Sequence, residues 1–89
     1  MKTLPPIGSR VAYHRTPRLY LTEPRSCAGI VTAHYPGGDK LRDENGEVYI
    51  EPDHAAVRVD KPLPDWWPYV GTDLFAPDVA ELTLVIQHN

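Results

Sequence analysis

The sequence predicts a small all-β domain whose short strands close into a barrel. The chain is 42% hydrophobic and 24% charged, which is typical of a globular protein and not of a disordered one. Ten prolines among 89 residues disfavour long helices and favour short strands joined by fixed turns. Apolar and polar residues alternate in short runs bounded by turn residues, as they do in half-buried strands. A chain of this length forms one small core, so we expect a single domain.

The first two strands are predicted at residues 8–14 and 27–35. In the first, Val11 and Tyr13 share one face, since side chains alternate along a strand. The second is the clearest strand of the chain. Gly29 lies within it and predicts a bend or bulge, because small barrels need one where a strand turns a corner.

A tight hairpin follows, with strands at residues 40–42 and 47–51. The turn between them contains Asn45-Gly46, the pair favoured in a type I′ turn. We expect Val48 and Ile50 to point inward from the return strand. Residues 52–54 then predict one turn of 3₁₀ helix.

The fifth strand is predicted at residues 55–59, with Val57 and Val59 buried. Residues 60–78 form a connector rich in proline and tryptophan, and residues 81–87 predict a further strand whose partner the sequence leaves open. The predicted organisation is therefore an N-terminal arm (1–7), a barrel (8–59), and an extension (60–89) that ends in the extra strand.

This order of strands and loops is similar to that of an SH3-like small barrel. Residues 8–59 also resemble the plasmid-encoded, trimethoprim-resistant dihydrofolate reductases, on Gly8-x-x-Val11, Ala28-Gly29-Ile30-Val31 and Val48-Tyr49-Ile50-Glu51-Pro52. Those enzymes are SH3-like barrels that assemble as tetramers around one pore, which the motif Val-Gln-Ile-Tyr-Pro lines. Tyr49 and Glu51 stand here in place of its glutamine and tyrosine. The resemblance therefore implies the fold, and a reductase activity is the weakest of the functional hypotheses.

A second resemblance is to small uncharacterised phage proteins. It depends on the strand Cys27-Ala28-Gly29-Ile30-Val31-Thr32 and on the later Trp66-Trp67-Pro68. It implies phage or prophage origin and no defined biochemistry.

No residue pattern in the sequence indicates catalysis, a cofactor or a metal. The chain has no glycine-rich phosphate loop. Its single cysteine allows no internal disulfide and favours a small buried apolar role. The histidines lack the spacing of zinc ligands; they are His14, His34, His54 and His88. We therefore expect a non-enzymatic protein without a cofactor.

Charge is unevenly distributed along the chain. The formal net charge is −3, but residues 1–26 carry a balance of +4 and residues 60–89 a balance of −4. The basic candidates for binding a phosphate backbone are Arg10, Arg15, Arg18 and Arg25. A nucleic-acid-binding barrel is accordingly one alternative, and docking of the basic end on an acidic neighbour is another.

The aromatic stretch 65–69 admits two interpretations. Its rings could seal the open end of the barrel, or they could anchor a protein interface, where tryptophan and tyrosine dominate binding energy. The candidate interface residues are Trp66, Trp67, Tyr69, Phe75, Leu82 and Leu84.

The leading functional hypothesis is a phage-encoded interaction or assembly module, such as a minor virion or head-associated protein, that binds a protein partner or its own copies. An inhibitor or regulator of a host protein is an alternative. The first residues lack the apolar segment of a signal peptide, and no run is long enough to cross a membrane. We therefore expect a cytoplasmic or virion location.

Overall fold

The computed structural model describes residues 3–17 and 23–85, and strands dominate their regular structure. The strands are β1 Arg10–Arg15, β2 Arg25–Tyr35, β3 Lys40–Arg42, β4 Val48–Ile50, β5 His54–Val59, β6 Leu74–Phe75 and β7 Leu82–Leu84. One turn of 3₁₀ helix at Val79–Glu81 precedes β7. The predicted all-β class is confirmed.

Five of these strands form one antiparallel sheet in the order β6-β5-β2-β1-β7. Strands β3 and β4 form a separate two-stranded sheet. Within the described residues β6 and β7 are the two edges and do not pair, so the barrel closure that the sequence predicts is not seen. The C-terminal part of the chain supplies both edge strands.

The core lies on one face of the five-stranded sheet. It consists of Val11, Tyr13, Val31, Ala55, Val57, Val79 and Leu82. Val11 and Tyr13 share the buried face of β1, and the predicted burial of Val57 and Val59 is confirmed. Because the 3₁₀ turn and β7 add Val79 and Leu82, the last part of the chain shares this core with the first.

Gly29 allows a close approach between β2 and β5. A Cβ atom at this position would overlap the carbonyl oxygen of Arg58 and would lie 2.8 Å from Cγ1 of Val57. The irregularity in the strand pairing falls further along, between Val31 and Ala33. The predicted bulge therefore exists in this strand, but Gly29 is required by the neighbouring backbone.

Residues 52–54 form no 3₁₀ turn, and this part of the prediction is wrong. Asp53 instead joins three segments of the chain. Its carboxylate accepts a hydrogen bond from the Gly37 amide at 2.8 Å, and its carbonyl accepts one from the Val79 amide at 2.8 Å. These partners hold the backbone extended as it enters β5, which begins at His54.

Candidate interaction surface

The aromatic residues of the connector meet at one end of the core. The rings of Trp66 and Phe75 pack on buried Tyr13, with centroids 6.0 and 5.0 Å away. Trp67 lies 5.2 Å from Phe75 and 5.3 Å from Tyr69. Four of the predicted interface residues are thus brought together, and they form a continuous aromatic layer on the core.

Both tryptophans are half-buried and also bonded within the fold. The indole nitrogen of Trp66 donates to the carbonyl of Ser26 at 3.2 Å, and that of Trp67 donates to the carbonyl of Thr72 at 3.0 Å. An indole that is hydrogen-bonded and packed on the core behaves as a structural cap. Tyr69, at 51% exposure, is the ring of this group that remains most open to a partner.

The partner of the C-terminal strand, which the sequence left open, is β1. Leu82 lies opposite Tyr13 and Leu84 lies opposite Val11. Leu82 is buried in the core, whereas Leu84 is half-exposed at the sheet edge. The predicted strand extends to residue 87, and its last two residues lie outside those that the structure describes.

The predicted basic cluster is formed only in part, because Arg15 and Arg25 lie opposite each other on β1 and β2 while Arg10 lies at the far end of β1. Arg10 forms an ion pair with Asp60, and the Arg25 guanidinium lies 5.4 Å from the ring centroid of Trp66. Arg10 and Arg15 occupy opposite ends of β1, roughly 16 Å apart at about 3.3 Å per residue. The Nε and Nη2 atoms of Arg15 are buried and have no hydrogen-bond partner, so this edge of the guanidinium is turned away from solvent. Arg18 lies outside the described residues.

The titratable residues that the structure describes are not brought together in a catalytic arrangement. Cys27 is half-buried, and desolvation, followed by the nearby charge of Asp60, raises its pKa to about 11. The thiolate, which is the nucleophilic form, is therefore scarce at neutral pH. His14 is hydrogen-bonded to the Ser26 hydroxyl at 3.0 Å, and His34 to the Pro5 carbonyl at 2.6 Å. Within residues 3–17 and 23–85 no group of three or more histidine, cysteine, aspartate or glutamate side chains could hold a metal ion.

A hairpin arm projects from the sheet and presents an exposed surface that the sequence did not predict. It comprises residues 39–51, with β3 and β4 as its strands. The prediction that Val48 and Ile50 point inward is wrong, since they are 53% and 58% exposed. The arm continues the ribbon of β2 and β5 beyond the pair Tyr35 and His54, and among the residues that the structure describes nothing covers β3 or β4, which are exposed throughout.

Cross-strand pairing gives the arm a basic face. Lys40 lies opposite Ile50 and Arg42 lies opposite Val48. Directly opposed residues of an antiparallel pair point to the same side, as do residues two apart on one strand. Two cations and two β-branched apolar side chains therefore share this face, which we call the basic face.

The other side of the arm is acidic. Leu41 lies opposite Tyr49, and strand alternation puts Asp39, Glu47 and Glu51 on the same side. The pairing continues beyond the strands, because the Glu51 amide donates to the Asp39 carbonyl at 2.7 Å. We call this side, with two apolar side chains among three carboxylates, the acidic face.

The turn at the tip fixes the register of the two faces. The Gly46 amide donates to the Asp43 carbonyl, and the Asp43 carboxylate accepts from the Asn45 and Glu47 amides at 2.9 Å. Gly46 has a φ of +81° and Asn45 has no positive φ, so the predicted type I′ turn is not formed. A three-residue loop that ends in a left-handed glycine takes its place.

The signal for these faces was present in the sequence. Cations recur with a spacing of two before the turn, and carboxylates flank Tyr49 with the same spacing after it. Period-two charge of opposite sign on the two strands of a hairpin predicts two unlike faces. The exposure of both faces depends on the long-range pairing of β2 with β5, which the sequence did not reveal.

Comparison with known proteins gives no match to a protein-family model, to a curated protein or to a solved structure. In the part of the chain that the structure describes, no helix has the length and apolar character needed to cross a membrane.

Proposed function

We propose that this chain is a non-enzymatic protein-interaction module that binds its partner through the hairpin arm. The observation that carries the proposal is the exposure of the whole of β3 and β4, including four apolar side chains: Leu41, Val48, Tyr49 and Ile50. A two-stranded hairpin is marginal in water when nothing covers it. Grouped exposed apolar side chains rimmed by charge are characteristic of protein interaction sites.

The composition of the arm also favours a protein partner. Tyr49 at the centre of one face is a residue type enriched in the energetically important parts of interfaces. Its charged neighbours provide specificity through complementary charge. The outer edges of β3 and β4 make no pair with another strand among the described residues, so a partner can also add a strand to them.

The aromatic end of the molecule is the weaker candidate for the binding surface. Trp66 and Trp67 already use their indole donors and ring faces within the fold. Their burial supports the interpretation that they seal the core. Tyr69 alone gives this end a half-exposed ring.

The SH3-like barrel, the phage origin and the virion location stay predictions. The order of the first five strands and the hairpin of β3 and β4 support an SH3-like arrangement. A closed barrel would require a continuous ring of paired strands, whereas in the described residues β3 and β4 form a sheet of their own. The interaction proposal depends on the exposed arm and not on barrel closure.

Site-specific photo-cross-linking tests the proposal. A benzophenone amino acid replaces Tyr49 in one sample, Tyr69 in a second and Arg58, an exposed residue of the sheet, in a third. Each protein is irradiated alone and in an extract of the source cells. We expect protein adducts from position 49, formed with a copy of the chain or with another protein. Adducts from position 69 alone, or none from position 49, would overturn the assignment.

A further inference from the structure

We infer that the hairpin arm binds a second copy of this chain, with the basic face of one arm stacked on the acidic face of the next. This inference rests on the proposed function, because it identifies the partner of the same surface. It concerns the residues of β3 and β4 and the carboxylates beside them.

Charge complementarity within one chain carries the inference. The basic face presents Lys40 and Arg42, while the acidic face presents Asp39, Glu47 and Glu51. In the described structure no salt bridge engages any of these five side chains. The chain thus supplies both halves of a complementary pair, and the two halves point in opposite directions from one ribbon.

The apolar side chains are matched in the same way. Val48 and Ile50 lie opposite the two cations on the neighbouring strand, and Leu41 and Tyr49 lie between the carboxylates. Two sheets that stack face to face lie about 10 Å apart, and side chains from both fill the space between them. Stacking unlike faces therefore buries the two apolar pairs against each other while the charges meet beside them.

The same charges exclude symmetric stacking. A two-fold contact would place the basic face on itself, or the acidic face on itself, and opposed like charges are destabilising. Contact between unlike faces is head-to-tail, so an open assembly keeps one unused basic face at one end and one unused acidic face at the other. Such an interface continues until the rotation between copies closes a ring, or it grows as a filament.

Charge exchange on the two faces provides the test. The basic-face variant carries Lys40→Glu and Arg42→Glu. Its matched control carries Arg58→Glu and Lys61→Glu, which change the net charge by the same amount outside the arm. Light scattering coupled to size-exclusion chromatography measures the mass over a dilution series. We expect the wild type and the control to form assemblies larger than a dimer at the highest concentrations, and the basic-face variant to stay monomeric.

The acidic-face variant, with Asp39→Lys, Glu47→Lys and Glu51→Lys, should also be monomeric. Mixing it with the basic-face variant should restore assembly. One variant then presents carboxylates on both sides of its arm, and the other presents cations on both sides. Recovery on mixing also shows that both variants are folded. Added sodium chloride should weaken the wild-type assembly, because exposed charges are screened.

Three results would overturn the inference. They are a wild type that is monomeric at every concentration, variants that assemble as the wild type does, and monomeric variants that do not recover on mixing. A monomeric wild type whose position 49 still cross-links to another protein would remove self-association and leave the proposed function standing. Absence of any adduct at position 49 would remove both.

Discussion

Replacing Val48 and Ile50 by threonine separates the contribution of the arm to association from its contribution to folding. Threonine keeps the β-branched shape that suits a strand, so the hairpin should persist. Val48 is 53% exposed and Ile50 is 58% exposed. About half of each side chain is therefore still available for burial by a partner.

The expected magnitude follows from that exposed half. Full burial of a valine or isoleucine contributes about 1.5–3 kcal/mol. Half of this, reduced because threonine retains one methyl group, gives about 1.5 kcal/mol for the pair, or roughly tenfold weaker association. The free energy of unfolding should change by no more than about 0.5 kcal/mol, as for other surface substitutions.

Two single variants calibrate the measurement. Val57→Thr places a hydroxyl where the side chain is 1% exposed, so it should lower the free energy of unfolding by about 2 kcal/mol. Val70→Thr changes a fully exposed valine outside the arm and should affect neither quantity. Sedimentation over a dilution series gives the association constant, and thermal unfolding gives the stability.

The reasoning fails if the double variant associates as tightly as the wild type, because the arm would then make no apolar contact. It also fails if the double variant melts as low as Val57→Thr. That result would mean that Val48 and Ile50 are buried in the folded chain, as the sequence alone predicted.

Three further predictions concern the body of the protein. Gly29→Ala should lower the free energy of unfolding by about 1–3 kcal/mol, because its methyl group would overlap the neighbouring strand. The effect should be larger than that of Gly71→Ala, where space is open and only the φ of +79° opposes a side chain. Equal effects of the two variants in urea denaturation would contradict this. Cys27 should be alkylated slowly at pH 7 and faster as the pH approaches its pKa of about 11, and fast labelling of the folded chain at pH 7 would contradict the burial. Arg25→Gln should lower the free energy of unfolding by about 0.5–1 kcal/mol and alter the fluorescence of Trp66, since it removes a cation–π contact. An unchanged spectrum and an unchanged free energy of unfolding would show that the contact contributes nothing to stability.

The stability should also depend on pH in the alkaline range. Burial raises the pKa of Cys27 and of Tyr13, for which the charge of Glu81 adds to the shift. The unfolded chain then releases these protons at lower pH than the folded chain does. The free energy of unfolding should therefore be constant below about pH 8.5 and fall toward pH 11. Chemical denaturation at several pH values measures this, and Cys27→Ala should reduce the slope.

Local patterns in the sequence predicted most of the strands but not how they pair. Alternation along β1 and β5 placed Val11 with Tyr13 on one face and identified Val57 and Val59 as buried, because a period of two is a property of the strand itself. Barrel closure is a property of long-range pairing. Tyr35 pairs with His54, and this one register sends the intervening residues outward as an arm.

The error at Val48 and Ile50 has the same cause. An alternating strand shows that its two faces differ, but it does not show which face has another layer of the protein beside it. The sequence assigned the apolar side to the core on the assumption that β4 belongs to the main sheet. The direct pairing of β2 with β5 removes that layer and leaves both faces of the arm to solvent.

The sequence showed that the connector is rich in aromatic residues, but it did not show whether these residues seal the core or bind a partner. Trp66 and Trp67 each have one donor to satisfy, and the carbonyls that satisfy them belong to Ser26 and Thr72. Ser26 is 40 residues from Trp66 in sequence, so no local pattern could have indicated this bond. Once both donors are used inside the fold, these rings stabilise the core more than they invite a partner.

The sequence left two alternative roles open for the aromatic stretch 65–69, which were to seal the core or to anchor an interface. The cap uses large rings to close a core in which valine predominates, as a small domain with little buried surface requires. Because these rings close the core, the hairpin is not needed to cover it. Exposure of its valine, isoleucine and tyrosine to water is unfavourable unless a partner covers them. The opposite charges of its two faces favour another copy of the same arm as that partner.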